Sequence, residues 1–277
     1  FGIGGSNFTA SPLQIAGAYR TMLSKGEYIT PHTVLKIEFI DGSDSIVPEY
    51  TSKKVLSEEA SYMTAAMMAQ NVSGPYRNFM QILQRGYEVY AKTGTSDWGD
   101  TGVEFGIPAG SAKDKWMVSG TGEHTTAVWV GYDKADPDQI SYITQSVINM
   151  NLPGKINNSI INALYQGRSN PTNIVRPAGV NDVTIVRNVF PYVAPSPYAN
   201  PSLVATGLIK QEYASLSEAS YPIAIAQPLA INNGEVVTGQ LIGYEPYNGY
   251  LTYELISGPS QGTLDIFDPY SGYFQYT

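Results

Sequence analysis

The chain has 277 residues, enough to bury a sizeable core in one or two domains, and its 43% hydrophobic and 14% charged residues exclude a disordered polar tail. A formal net charge of -8 argues against a nucleic-acid ligand, whose phosphates are neutralised by Lys and Arg. The absence of cysteine removes disulfides, thiolate catalysis and thiolate-bound metals, and two histidines far apart in sequence, His32 and His124, offer no histidine-rich metal site. No apolar run approaches the roughly 20 residues that span a bilayer. The opening Phe1-Gly2-Ile3-Gly4-Gly5 reads as mid-domain sequence without a signal peptide, so the chain is taken as a fragment of something longer.

In chain order, Ser11-Pro12-Leu13-Gln14 supplies an N-cap, a proline at the first helical position and a capping-box glutamine. Ile15, Ala18, Tyr19 and Met22 then recur at helical spacing, and Gly26 closes the helix. Val34–Ile40 before Asp41-Gly42 predicts one arm of a hairpin. A second helix starts near Ser57, with Glu58 and Glu59 at its positive end and an apolar face at Ala60, Met63 and Met67. Three strands follow, Tyr87–Thr95, Trp116–Gly120 and Thr125–Tyr132, the last two joined by the turn Gly122-Glu123-His124. Between the first and second lies a Gly- and Asp-rich loop, Ser96–Asp114, whose Trp98, Asp100 and Glu104 either shape a cleft entrance or are solvated. Helical sequence from Tyr142 to Tyr165 is interrupted at Pro153-Gly154, which predicts two shorter helices with Ile148, Leu152 and Ile160 among their apolar positions.

Prolines at 171, 177, 191, 195, 197 and 201 punctuate the stretch to Pro222, which reads as an ordered arm or a linker. From Pro222 onward, Val236–Ile242, Leu251–Leu255 and Gly262–Ile266 alternate between turn-formers, the spacing of an antiparallel sandwich. The expected division is therefore 1–168, 169–221 and 222–277.

Chemistry concentrates at Lys92-Thr93-Gly94-Thr95. A cation, two hydroxyls and a bare backbone on a strand form a site for an extended peptide that bears a carboxylate. Strict alternation places Lys92 with Gly94 and Thr93 with Thr95, so one ligand reaches both sets only along the strand edge. The other polar candidates carry blander expectations. Trp116 and Trp129 are read as sheet packing, His32 as partly buried and structural, and Glu123-His124 as a solvated turn. Asp133, Asp136 and Asp138 lack the glycine and spacing of a calcium loop, and no metal or other cofactor is assigned.

The order of segments around that motif resembles the class A penicillin-binding proteins, the bifunctional peptidoglycan synthases, over about residues 1–190. The resemblance runs through Ile3-Gly4-Gly5-Ser6, Thr9–Tyr19, Gly26–His32, Ala91-Lys92-Thr93-Gly94-Thr95-Ser96, Lys115–Val118 and Ala127–Asp133. It implies an α+β fold, a partial β-lactamase-like transpeptidase with an antiparallel sheet and flanking helices. By the same resemblance Lys92 supports proton transfer and holds substrate. Thr93 and Thr95 bind the carboxylate of a stem peptide or β-lactam across Gly94, and the Thr95 N–H is half of an oxyanion hole. The family's other two motifs are missing: no Ser has Lys three residues later, and none has Asn two later. The nucleophile is expected upstream of Phe1, as are a glycosyltransferase domain and a membrane anchor, which leaves this fragment inactive alone in an extracytoplasmic envelope enzyme. The alternatives are a D,D-carboxypeptidase or β-lactamase relative, and a non-catalytic envelope-binding protein with a degenerate fold. Residues 222–277 resemble truncated cadherin-like or bacterial Ig-like repeats through Thr238-Gly239, Leu251–Tyr253, Gly258–Leu264 and Gly272–Thr277, which implies a role in spacing or adhesion.

Overall fold

A helix over Pro12–Leu23 (α1) begins as its sequence dictates. The Ser11 hydroxyl accepts from the Gln14 N–H, and the Gln14 side chain accepts from the Ser11 N–H. Lys25 and Gly26 then take positive φ, and the Gly26 N–H returns to the Thr21 carbonyl. Gly26 is needed for a second reason: a Cβ there would lie 2.2 Å from the Leu56 carbonyl oxygen, where the chain passes the helix end. The computed structural model describes residues 9–277 except Tyr76, Asn233, Asn248 and the side chain of Phe267. Ile3-Gly4-Gly5-Ser6 lies outside the described residues.

Two short strands, Glu27–Tyr28 (β1) and Lys53–Lys54 (β2), pair antiparallel, and the excursion between them departs from the expected hairpin. Of Val34–Ile40 only Ile37 bridges to a partner, Ile46, and both are exposed, so no buried face fixes a register there. His32 is exposed rather than partly buried, and its ring stacks on Tyr50 with centroids 3.4 Å apart.

Ser57 caps the helix Glu58–Ser73 (α2) by accepting from the Ala60 N–H. Its buried seam is Ser61, Ala65, Met68 and Val72, not the expected Ala60, Met63 and Met67; Ala60 and Met67 are exposed. The helix is rich in apolar residues on more than one side, and the small Ser61 and Ala65 mark the side on which neighbours come close. A turn of 3-10 helix over Asn78–Leu83 leads to the strand Tyr90–Ser96 (β3). The loop after it is not wholly irregular, because Asp100–Glu104 forms a short helix (α3). Asp114–Gly120 (β4) and Thr125–Gly131 (β5) complete an antiparallel sheet ordered β3-β4-β5.

Two helices follow, Gln145–Asn149 (α4) and Leu152–Tyr165 (α5). The break falls at Asn151, in the left-handed region at φ 51°, while Pro153 sits in the first turn of α5, where its missing N–H costs nothing. The face of α5 that packs inward is Pro153, Gly154, Asn157 and Ile161; Leu152 and Ile160 are exposed. Val72, Met80, Leu83, Val89, Ala91, Met117 and Ile161 form one core, and Leu23, Ala65, Met68 and Tyr90 another.

The chain forms two compact units, the first ending at Pro177 and the second Ala178–Thr277. In the second, Val180–Val186 (β6) pairs with Val204–Lys210 (β7), and Ile223–Ala224 (β8) pairs with Gly243–Tyr244 (β10). Val237–Gln240 (β9), Leu264–Asp268 (β11) and Tyr273–Tyr276 (β12) form a sheet ordered β11-β12-β9. The expected strand Leu251–Leu255 is irregular, and its Tyr253 N–H donates to the Pro269 carbonyl at 2.8 Å. Gly258 and Pro259 follow it closely, and the central place in the sheet goes to β12, where Phe274 packs over Gly239. The fully buried Tyr244 joins Val186, Val189, Ala219 and Ile225 in one core, its hydroxyl accepting from the Ser196 N–H at 2.8 Å. Among the described residues no helix is long and apolar enough to cross a membrane.

Candidate active site

β3 has two halves with different surroundings. Tyr90 and Ala91 are buried beneath α2, and the Asn71 amide donates to the Ala91 carbonyl at 3.0 Å. From Lys92 to Ser96 the strand is half-buried or exposed, with β4 on one side and, among the described residues, no strand on the other. Lys92, Thr93, Gly94 and Thr95 therefore lie consecutively on an open sheet edge, whose main-chain groups are available to an extended ligand.

The register assigns each side chain a face. Lys92 and Gly94 stand opposite Val118 and Trp116; Thr93 and Thr95 stand opposite Met117 and Lys115. The Lys92 ammonium donates to the Thr93 carbonyl at 2.8 Å. At Gly94 an added Cβ would come 3.3 Å from the Trp116 Cβ, so the glycine keeps the strand flush against the indole. Trp116 is paired with Trp129, centroids 6.3 Å apart, as expected of sheet-packing aromatics.

Sequence reasoning gave no role to Asp114 or Lys115: it left Asp114 at the end of the loop and read Lys115 only as the start of a strand that resembles the family. Asp114 accepts from the Ser96 hydroxyl at 2.6 Å and from the Trp129 indole N–H at 2.8 Å, fastening the open end of β3 across the sheet. Lys115 is only 4% exposed, yet its ammonium lies 4.1 Å from the Phe79 ring centroid and 3.5 Å from the Thr95 hydroxyl oxygen. Burial holds its pKa below the usual lysine range. The signal available in sequence was a charged residue on the inward rank Lys115, Met117, Ser119.

The loop after β3 is anchored by Trp98, whose indole N–H donates to the Ser141 carbonyl at 3.1 Å while the Lys113 ammonium lies 5.0 Å from its ring centroid. Asp100 and Glu104 are exposed. The turn before β5 is tethered rather than simply solvated. His124 Nδ1 lies 2.9 Å from the Tyr165 hydroxyl, and Glu123 accepts from the Thr172 N–H at 3.3 Å. The Asp136 carboxylate accepts from the Asp138 N–H and the Gln139 amide within its own loop.

The sequence profile of the penicillin binding protein transpeptidase domain matches residues 1–166, more than half of the chain. The chain belongs to the penicillin-binding protein transpeptidase family. Similar relatives include penicillin-binding protein 1A/1B of Bacillus subtilis, 31% identical over 208 residues (69% of this chain, 22% of that protein). Penicillin-binding protein 1A of Mycobacterium tuberculosis is 31% identical over 164 residues, or 58% of this chain and 18% of that protein. Among solved structures, the penicillin-binding protein PonA1 from M. tuberculosis is 29% identical and aligns with 59% of this chain and 40% of its own, with a TM-score of 0.44. The chain thus spans about a fifth of the length of these two curated relatives. The matched region ends just past α5 and includes β3, β4 and β5.

Proposed function

We propose that this chain supplies one wall of the active site of a peptidoglycan D,D-transpeptidase of the bifunctional class A type. The observation that carries this reading is the Lys92–Thr95 edge, open on one side and backed by β4, in a chain of the transpeptidase family. A stem peptide or β-lactam pairs along the edge, so that it meets Lys92 from one face and Thr93 and Thr95 from the other. Its carboxylate is held by the two threonine hydroxyls and the Lys92 charge. A serine from a preceding segment attacks the penultimate D-Ala carbonyl, the N–H of Thr95 stabilises the developing oxyanion, and D-Ala leaves. The acyl group then passes to the amine of a neighbouring stem. In this reading the protein works outside the cytoplasm, held to the membrane by a segment outside this chain. Residues 1–168 are its transpeptidase part, and the Ig-like module over 222–277 is a spacer or adhesive element.

The test is labelling with a fluorescent penicillin. The full-length protein should form a stable acyl adduct that maps to a serine outside this chain, while the 277-residue chain alone should remain unlabelled, because it has no Ser-x-x-Lys. An adduct on any residue of this chain would show the assignment of the nucleophile to be wrong. Release of D-Ala without cross-linked product would turn the reading toward a carboxypeptidase.

A further inference from the structure

Lys115 has no part in the chemistry described so far. It is a buried ammonium without an acidic partner: among the described residues no carboxylate lies within ion-pair distance of it. Burying such a charge is costly unless something compensates it. Two groups do so, the face of Phe79 and the hydroxyl oxygen of Thr95. The register puts Thr95 directly across from Lys115, so the contact is built into the pairing of β3 with β4. Thr95 itself is exposed, on the same rung as the buried ammonium.

We propose that Lys115 is a positioning residue for Thr95, fixing its hydroxyl as an outward-facing donor for the carboxylate of an anionic ligand. A hydroxyl has one hydrogen and two acceptor lone pairs. Lys115 is a donor with nothing to accept, so it can meet only a lone pair. At 3.5 Å the contact is long and acts as a charge on a dipole, drawing the oxygen inward and turning the hydrogen away. The edge then presents a donor in place of a freely rotating hydroxyl, and a second positive charge stands behind it. The inference deepens the transpeptidase reading and rests on it.

The discriminating measurement is the acylation rate of the full-length protein with a penicillin and with its neutral carboxyl methyl ester. In the unaltered protein the free acid should react faster. In Lys115→Met, which keeps an apolar stem against Phe79, the rate with the acid should fall about tenfold while the ester rate holds, so the preference shrinks. Lys115→Arg should restore it, and Lys115→Gln provides a polar replacement if the methionine variant folds poorly. A purely structural lysine would lower both rates together, and an undiminished preference in the neutral variants overturns the inference while the transpeptidase reading stands. No acylation of the unaltered protein overturns both.

Discussion

Lys92→Ala in the full-length protein is expected to lower penicillin acylation by about 10²–10⁴-fold, the range associated with a group that moves protons in the transition state. The side chain is exposed, and its hydrogen bond here is to the neighbouring Thr93 carbonyl, so its loss removes no core contact. The melting temperature should therefore be unchanged, which separates a chemical defect from a folding one. Lys92→Arg divides the two roles assigned to the residue. Arginine keeps the positive charge that holds a carboxylate but does not give up its proton. Acylation restored by arginine would assign Lys92 to anchoring alone; near-normal labelling of the alanine variant would remove it from the mechanism.

The largest effect on stability is expected at Asn157. This residue of α5 is fully buried, and it donates to the Met117 carbonyl at 2.8 Å while accepting from the Ser119 hydroxyl at 2.8 Å and from Thr126. It ties α5 to β4 and β5 through a small closed network, since Ser119 and Thr126 also meet at 3.0 Å. Asn157→Leu nearly preserves volume but leaves a buried carbonyl and two hydroxyls short of partners, at a cost of about 3–5 kcal/mol. Trp98, Trp116 and Trp129, the chain's three tryptophans, all precede Pro177, so urea unfolding followed by their fluorescence reports the first unit. Adding Ser119→Ala and Thr126→Val should recover part of the loss, because apolar partners no longer need satisfying. A change below about 1 kcal/mol for Asn157→Leu alone would show that the network contributes little.

What was legible in the sequence follows the range of the interactions involved. The start of α1 could be read because its cap is made by residues three apart, and β3, β4 and β5 because alternation is local. The buried face of α2 was misread, since apolar residues on several sides leave the choice to the neighbours. Val34–Ile40 carries strand-like composition but is exposed, and among the described residues its pairing shrinks to the bridge of Ile37 with Ile46. Leu251–Leu255 alternates as well as β12 does, and only the closing of the sheet decides between them. At the candidate site, the division of Lys92, Thr93, Gly94 and Thr95 between two faces of a strand was readable. Lys115 and Asp114 were not, because their importance depends on which rung of β4 stands opposite Thr95 and Ser96.

The tether from Asn71 to the Ala91 carbonyl has a consequence for how the motif responds to occupancy. One edge of β3 is paired with β4 throughout Tyr90–Ser96, while the other is covered by α2 at Tyr90–Ala91 and, among the described residues, carries no strand from Lys92 to Ser96. A ligand can add main-chain bonds to the open edge without disturbing the part covered by α2. Amide hydrogen exchange should record the difference: binding slows exchange within residues 92–96 and leaves the already slow amides of Tyr90 and Ala91 unchanged.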